Sequence, residues 1–528
     1  MTFARDLVKA ASRNYPNKTA FICGDRRATW AQMDQRSDRL AKALQGLGLQ
    51  KGDVVSTLSQ ERIEVHEHFY ACMKTGAIRV GVNARYVWRE IEHVLRDSKT
   101  RFLFVEDRCA PLIRDHLTEI EAMQIVLIGI GTTALAYEQE ALIAAAEGEP
   151  AWPALAPDDP LFYSYTSGTT GFPKGVILTQ QGVVDAILFS VSSFGFSPDD
   201  VWYNPSASAW VTIVMSSFNL ANGMTTVIPD GGFRIDQFLV DVGRFGVTSV
   251  ILVPTMIQWI INELRSRSYD LSSWRFLIYG SAPSSPALIR QMREVLPCAL
   301  VQTYGLTEIT GGWATYLSDK DHREAFARRP EWLKSVGRFG PHFECSIRDP
   351  DGRPLPPNTQ GEVWIRGTAV MKGYLNRPEE TAEVMREGGW LCTNDIALLD
   401  EDGLLHLLDR KKFMIISGAV NVFPATVEAV LAEHDGIAEV AVIGAPHPEW
   451  GEAVIAFVRV KSSHSRLSGR DIMDFCIDKL SKPEIPKHVV LVEELPKTSN
   501  GKIMKQPLKE MLTRDPSLLP WNSGQRCE

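Results

Sequence analysis

Apolar positions change their spacing along the chain, and those changes divide it. Residues 4–14 (ARDLVKAASRN) repeat apolar side chains at helical intervals, and TAFICG at 19–24 reads as an extended segment. In TWAQMDQRSDRLAKALQGLG (29–48), a cap precedes a helical pattern with apolar returns at Met33, Leu40 and Leu44. Gly46 and Gly48 suit the exit of that helix. Short apolar runs then predict strands: RFLFVED (101–107), QIVLIGI (124–130), MTTVIP (224–229), VTSVILVP (247–254) and WRFLIYG (274–280). Helical patterns separate several of them, which is an α/β rhythm with sheets covered by helices.

The texture changes after residue 340. GEVWIRG (361–367) and EDGLLHLLDR (401–410) predict small antiparallel strands, and the turn-rich DPDGRPLPPNTQG (349–361) lies between extended pieces. Asp351-Gly352 and Asp402-Gly403 are turn signals. A new unit starts near residue 413, with a helix at PATVEAVLAEH (424–434) and strands at EVAVIGA (439–445) and EAVIAFVRV (452–460). The charged quartet Asp409–Lys412 lies between the two textures and reads either as a domain boundary or as a polar turn. The tail SLLPWNSGQRCE (517–528) is expected to be peripheral and partly disordered.

A chain of 528 residues exceeds one ordinary core, so two or more domains are expected. The net charge of -8 argues against a general nucleic-acid binder. The eight cysteines have no metal-site or disulfide-framework spacing, which suits reduced thiols in the cytoplasm. The first 18 residues hold no signal-peptide core, and no run of 18 apolar residues predicts stable membrane insertion. Oligomeric state is not legible.

The candidate chemistry begins at YTSGTTGFPKG (165–175), a segment rich in glycine and hydroxyl groups with one lysine. Exposed N–H groups, hydroxyls and an ammonium suit phosphate oxygens. It is not a Walker A loop, because Lys174 follows Pro173 and precedes Gly175. Read alone, it is either a structural turn or a phosphate loop. Further segments join it in order: YGLTE (304–308), TND (393–395), DRKKFMIISGAVNVFP (409–424) and PKTSNGKIMK (496–505). Together they resemble the acyl-adenylate-forming superfamily, and most closely an AMP-forming acyl-CoA or aryl-CoA synthetase.

That resemblance implies a fold and a division. A large multi-sheet α/β N-terminal region would span 1–409, with a hinge at 410–412 and a small mobile α+β domain at 413–528. It also implies a reaction: a small carboxylic acid and ATP form acyl-AMP and pyrophosphate, and the acyl group then passes to the thiol of coenzyme A. The alternative acceptor is the phosphopantetheine of a carrier protein.

Site residues follow from the same resemblance. Thr166, Ser167, Gly168, Thr169, Thr170 and Lys174 would hold phosphates. Ser281, Ala282 and Pro283 would lie beside adenine, on which Tyr304 would stack. Thr307 would contact the AMP phosphate region, and Glu308 would hold Mg²⁺. Asp395 would contact the ribose, and Arg410 the ribose or a phosphate. Lys502 would place its ammonium between carboxylate and α-phosphate. Lys411 and Lys412 would form the hinge that exchanges Lys502 for Ser417, Gly418 and Ala419 on the coenzyme A side. Ser281 and Asn394 depart from the usual family form by replacing glycines, and Phe413 by replacing a carboxylate.

The acid pocket is less specified. Gly280, Ser208 and Trp210 are its candidates, with Ser208 at the place of a common family histidine. Trp210 reads equally as a core residue. The segment SASAW (206–210) has no carboxylate to pair with a substrate ammonium, which favours a plain carboxylic acid over an amino acid.

Overall fold

The computed structural model describes residues 2–166, 172–417, 420–497 and 503–522. Among them the strands form four sheets. The first has nine strands, in the order Arg338–Phe339, Trp313–Leu317, Ala299–Gly305, Phe276–Tyr279, Ser249–Leu252, Val201–Tyr203, Thr225–Ile228, Thr19–Cys23 and Arg26–Thr29. Its six central strands are parallel, and antiparallel strands close both edges. The second has eight, running Gly373–Tyr374, Lys174–Thr179, Pro160–Thr166, Ile78–Val82, Val54–Leu58, Thr100–Glu106, Val126–Ile130 and Tyr137–Glu138. All five strands predicted from apolar runs are present; Thr100–Glu106 keeps its expected length one residue earlier, and the other four are shortened by two to four residues.

Local chemistry explains the helices between them. Trp30–Gly46 is capped by Thr29, whose side chain accepts from Gln32 N while the Gln32 side chain accepts from Thr29 N. Gln180–Phe194 buries Val183, Val184, Ala186 and Ile187 in a core shared by the first, second and third sheets. That third sheet is antiparallel and holds Glu344–Arg348, Gly361–Arg366, Trp390–Leu399, Met385–Arg386 and Leu405–Arg410. It gives Val363, Ile365, Leu391, Ala397 and Leu405 to the same core. Among the described residues the cysteines form no disulfide.

The fourth sheet has its own cores, because its long hairpin Ile437–His447 and Gly451–Val460 is apolar on both faces. Ala441, Ile443, Ile455 and Phe457 pack under helix Lys505–Arg514, through Leu508 and Leu512. The alternate residues Val442, Val454, Ala456 and Val458 face Val427 and Leu431 of helix Pro424–Leu431 and Ile472 of Gly469–Cys476. A short turn, Lys411–Phe413, joins the third sheet, ending at Arg410, to the first strand of the fourth, Ile415–Ser417.

The tail differs from expectation at its start. Leu519 is buried against the fourth sheet, and Trp521 Nε1 donates to the Pro446 carbonyl at 3.0 Å. Its apolar residues cover sheet surface that would otherwise meet water. Residues 523–528 lie outside the described residues.

Candidate functional site

Parallel strands Phe276–Tyr279 and Ala299–Gly305 are hydrogen-bonded neighbours. Their C-terminal ends therefore deliver residues 280–283 and 304–308 to one sheet edge, where α/β sheets hold ligands. Gly280 leaves its strand tightly: a Cβ there would stand 2.4 Å from the Thr303 carbonyl oxygen. Ser281 follows with φ 63° and Asn394 has φ 60°, the left-handed conformation that favours glycine. Both positions that depart from the family's glycines thus keep a glycine-like backbone. Ser281 and Pro283 are exposed, and Ala282 is half-buried.

The centre of the site joins the first sheet to the third. Tyr304 Oη donates to Asp395 Oδ2 at 2.5 Å, and Arg410 Nε stands 2.6 Å from Asp395 Oδ1. Asp395 is only 6% exposed. It is the register partner of Arg410 on adjacent strands, which places the guanidinium across from it. Burial opposes the Arg410 charge, but Asp395 and Glu308 outweigh it and raise its pKa. Burial, then the Asp395 charge, holds the Tyr304 phenol well above its ordinary pKa, so it stays a donor.

Thr307 opens a 3₁₀ turn, Thr307–Ile309, that carries Glu308. The Glu308 carbonyl accepts from Met371 N at 2.8 Å, and Thr310 Oγ1 donates to Ala369 O at 2.6 Å. These bonds tie the turn to the segment leading into Gly373–Tyr374. Tyr374 Oη then donates to Glu308 Oε1 at 2.9 Å. Burial and the Glu308 charge raise the Tyr374 pKa. Lys174 Nζ lies 3.6 Å from the centre of the Tyr374 ring and 3.5 Å from Glu380. Thr166 is the register partner of Lys174, so the two ends of the glycine-rich loop stand side by side.

Tyr304, Glu308, Lys174, Asp395 and Arg410 thus belong to one neighbourhood. Ser167, Gly168, Thr169, Thr170, Gly418, Ala419 and Lys502 lie outside the described residues. Ser417 is buried in the fourth sheet, opposite Gly451. Lys411 and Lys412 lie in the connecting turn, and Lys411 Nζ is 3.4 Å from Glu362 Oε2. Ser208 is buried, its main chain held by Glu61 and Arg79, and Trp210 is half-buried just before helix Thr212–Ser216.

Sequence reasoning missed Tyr374, Glu362, Glu61 and Arg79. Glu362 accepts from Asn394 N at 3.0 Å while facing Lys411, so it links the Asp395 turn to the inter-sheet connection. Only the aromatic in MKGYLN could have drawn notice to Tyr374; the other three sit in ordinary strand or helix-start contexts. Glu61 also brings a carboxylate to a segment that has none of its own. Its oxygens are taken by Ser208 N at 2.7 Å and His66 Nε2 at 3.0 Å.

Among the described residues, no group of three or more His, Cys, Asp or Glu side chains could hold a metal by itself. No described helix is long and apolar enough to cross a membrane.

Residues 8–375 match the model of the AMP-binding enzyme family, and residues 426–502 match that of the AMP-binding enzyme C-terminal domain. The chain is 32% identical over 513 residues to the fatty acid–[acyl-carrier-protein] ligase ScoC of Streptomyces coeruleorubidus, covering 96% of this chain and 95% of the relative. It is 34% identical over 500 residues to a feruloyl-CoA synthase of an Amycolatopsis species, covering 94% and 96%. The fold is similar to that of o-succinylbenzoate CoA synthetase from Bacillus subtilis in complex with its acyl-adenylate intermediate. The TM-score is 0.83 and the identity 28%, over 96% of this chain and 99% of that structure.

Proposed function

Because the chain belongs to the AMP-binding enzyme family, we propose that it joins a carboxylic acid to a phosphopantetheine thiol in two ATP-dependent steps. In the first, a carboxylate oxygen of the acid attacks the α-phosphorus of ATP. The bond to the β-phosphate oxygen breaks, giving acyl-AMP and pyrophosphate. In the second, a thiol sulfur attacks the acyl carbon, the bond to the AMP oxygen breaks, and the thiol proton goes to solvent. No general base is needed in the first step, because a carboxylic acid is already ionised at pH 7.

The observation that carries this reading is Asp395, buried and gripped by Tyr304 and Arg410 at the edge where residues 280–283 emerge. A carboxylate fixed in this way accepts vicinal ribose hydroxyls without reorganising. Residues 281–283 would then flank the adenine, with Tyr304 against its face. Thr166, Lys174 and loop residues 167–170 would take the phosphates, with Thr307 at the α-phosphate. For Lys174, this means leaving the Tyr374 ring and Glu380 for a stronger anionic partner.

Glu308 fits a magnesium site supplied mainly by the nucleotide. One fixed carboxylate plus substrate phosphates is a usual set for this ion, and Tyr374 orients the carboxylate. Bound there, magnesium would neutralise charge on the triphosphate. Lys502, the last residue of the C-terminal family match, is assigned the ammonium between carboxylate and α-phosphate. We divide the chain at 1–409, 410–412 and 413–528. Residues 410–412, which run into the Lys411–Phe413 turn, would be the hinge that exchanges the Lys502 tip for Ser417, Gly418 and Ala419.

Coenzyme A is the assigned acceptor. A carrier protein is the second reading, favoured by the similarity to a fatty acid–carrier-protein ligase. The acid has an uncharged tail, because Glu61 near Ser208 is already occupied by an N–H and a histidine. We assign the reaction to the cytoplasm. A pyrophosphate-release screen over diverse acids, with coenzyme A, with carrier proteins and with neither, tests the proposal. Accumulation of ADP and acyl phosphate, with no AMP, would overturn it.

A further inference from the structure

Two successive residues of the SASAW segment are held from behind by strand Ile78–Val82 of the second sheet and by the connection between strand Val54–Leu58 and helix Ile63–Thr75. Ser208 N donates to Glu61 Oε2 at 2.7 Å, and Ser208 O accepts from Arg79 Nη2 at 2.7 Å. Ala209 then rests on Gly81, where a Cβ would stand 2.4 Å from the Ala209 carbonyl oxygen. The close approach therefore needs glycine at 81. Glu61 is anchored in turn by His66, whose ring stacks on Phe21 of the first sheet at 4.3 Å. The contacts reach only main-chain atoms of the segment, and they bridge the two large sheets.

Arg79 is a costly way to make such a bond. It is 0% exposed, lies 5.1 Å from the Phe162 ring and 5.6 Å from the Phe69 ring, and approaches Thr57 Oγ1 at 3.4 Å. Its Nε and Nη1 have no partner among the described residues. Burial pulls its pKa down to about 10, which leaves it charged at neutral pH. An apolar residue in this strand would avoid the desolvation of a guanidinium. Packing alone does not account for it, whereas holding a carbonyl at a set height does.

We infer that Glu61 and Arg79 are positioning residues for the carboxylic acid, fixing the Ser208 main chain and thereby the place of Trp210 against the acyl group. This rests on the assignment of residues 208–210 to the acid side of the cleft. Trp210 lies two residues beyond the clamp, and its carbonyl accepts from Ile213 N at 3.2 Å, opening the next helix. The segment is thus pinned on both sides of the indole. Such a wall selects acids by width instead of adapting to them.

The test uses the full-length enzyme, with pyrophosphate release measured over an acid panel for wild type, Arg79→Met, Arg79→Lys, Glu61→Gln and Trp210→Ala. Arg79→Met is expected to raise the acid KM on the order of tenfold and to reorder acid preference, the scale of a small misplacement. The ATP KM should change by less than about twofold, since the nucleotide groups lie elsewhere. Glu61→Gln should move acid preference the same way by less, and Arg79→Lys should recover part of the loss. If Arg79→Met does not fold, the other two clamp variants decide. Acid and ATP KM rising together in folded variants, or an unchanged acid profile, would overturn the inference. A Trp210→Ala shift without any shift in the clamp variants would overturn it alone. No shift in Trp210→Ala would remove the acid-side assignment and this inference with it.

Discussion

Tyr304 and Asp395 are 91 positions apart in the chain, and their side chains meet at 2.5 Å. The bond crosses from the first sheet to the third and fixes a carboxylate that Arg410 reaches from the neighbouring strand. The two contacts tie the C-terminal end of strand Ala299–Gly305 to the neighbouring strands Trp390–Leu399 and Leu405–Arg410.

Asp395→Asn should therefore weaken AMP binding by roughly 10- to 100-fold, the worth of hydrogen bonds to a charged group. Tyr304→Phe keeps the ring and should cost less. Calorimetric titration with AMP reads both, and wild-type affinity in Asp395→Asn would remove the ribose assignment.

Glu308→Gln should impair Mg-ATP use more than binding of preformed acyl-AMP. The charge matters most while metal and triphosphate are held together. Tyr374→Phe should act in the same direction more weakly, because it frees the carboxylate without discharging it. Equal losses for both ligands in Glu308→Gln would contradict the metal role.

Lys502→Ala should lose adenylation by a factor on the order of 10²–10³, the scale for one preorganised electrostatic donor. Conversion of supplied acyl-AMP and coenzyme A to thioester should stay near normal, since the lysine tip is assigned to the first step only. Single-turnover kinetics of each half-reaction decides, and equal damage to both would reject the alternating-domain account.

Acid stability should carry a signature of Glu64. Burial opposes its charge, but Arg62 and Arg26 more than offset this and bring its pKa down to about 2. An unfolded glutamate titrates near 4.3, so the stabilisation is complete above that pH and is lost as pH falls toward about 2. Glu64→Gln should lower the Tm at pH 7 and flatten its decline between about pH 5 and pH 3. An unchanged slope in thermal melts across that range would assign the acid sensitivity elsewhere.

Local patterns of this sequence determined local things. Thr29 and Gln32 announce the helix start they cap, because a capping box spans only four residues. Apolar runs announce the parallel strands, because burial on both faces leaves no polar alternation. The motifs at 165–175 and 304–308 lie within the AMP-binding enzyme family match and are legible without the fold, since each needs only adjacent residues. Asn394 and Ser281 both have a left-handed backbone, which the replacement of a glycine by either side chain does not announce.

Only the tertiary structure decided which distant groups meet. Tyr374 reaches Glu308, Glu362 links Asn394 to Lys411, and Glu61 and Arg79 close on Ser208 from more than 120 positions away. Leu519 and Trp521 find cover against the fourth sheet although their surroundings look like a polar tail. Periodicity records which face of an element is apolar, but not what that face or a lone polar side chain will touch. Those contacts depend on strand order and on how sheets pack, which are set by the summed burial of many side chains and not by any short stretch.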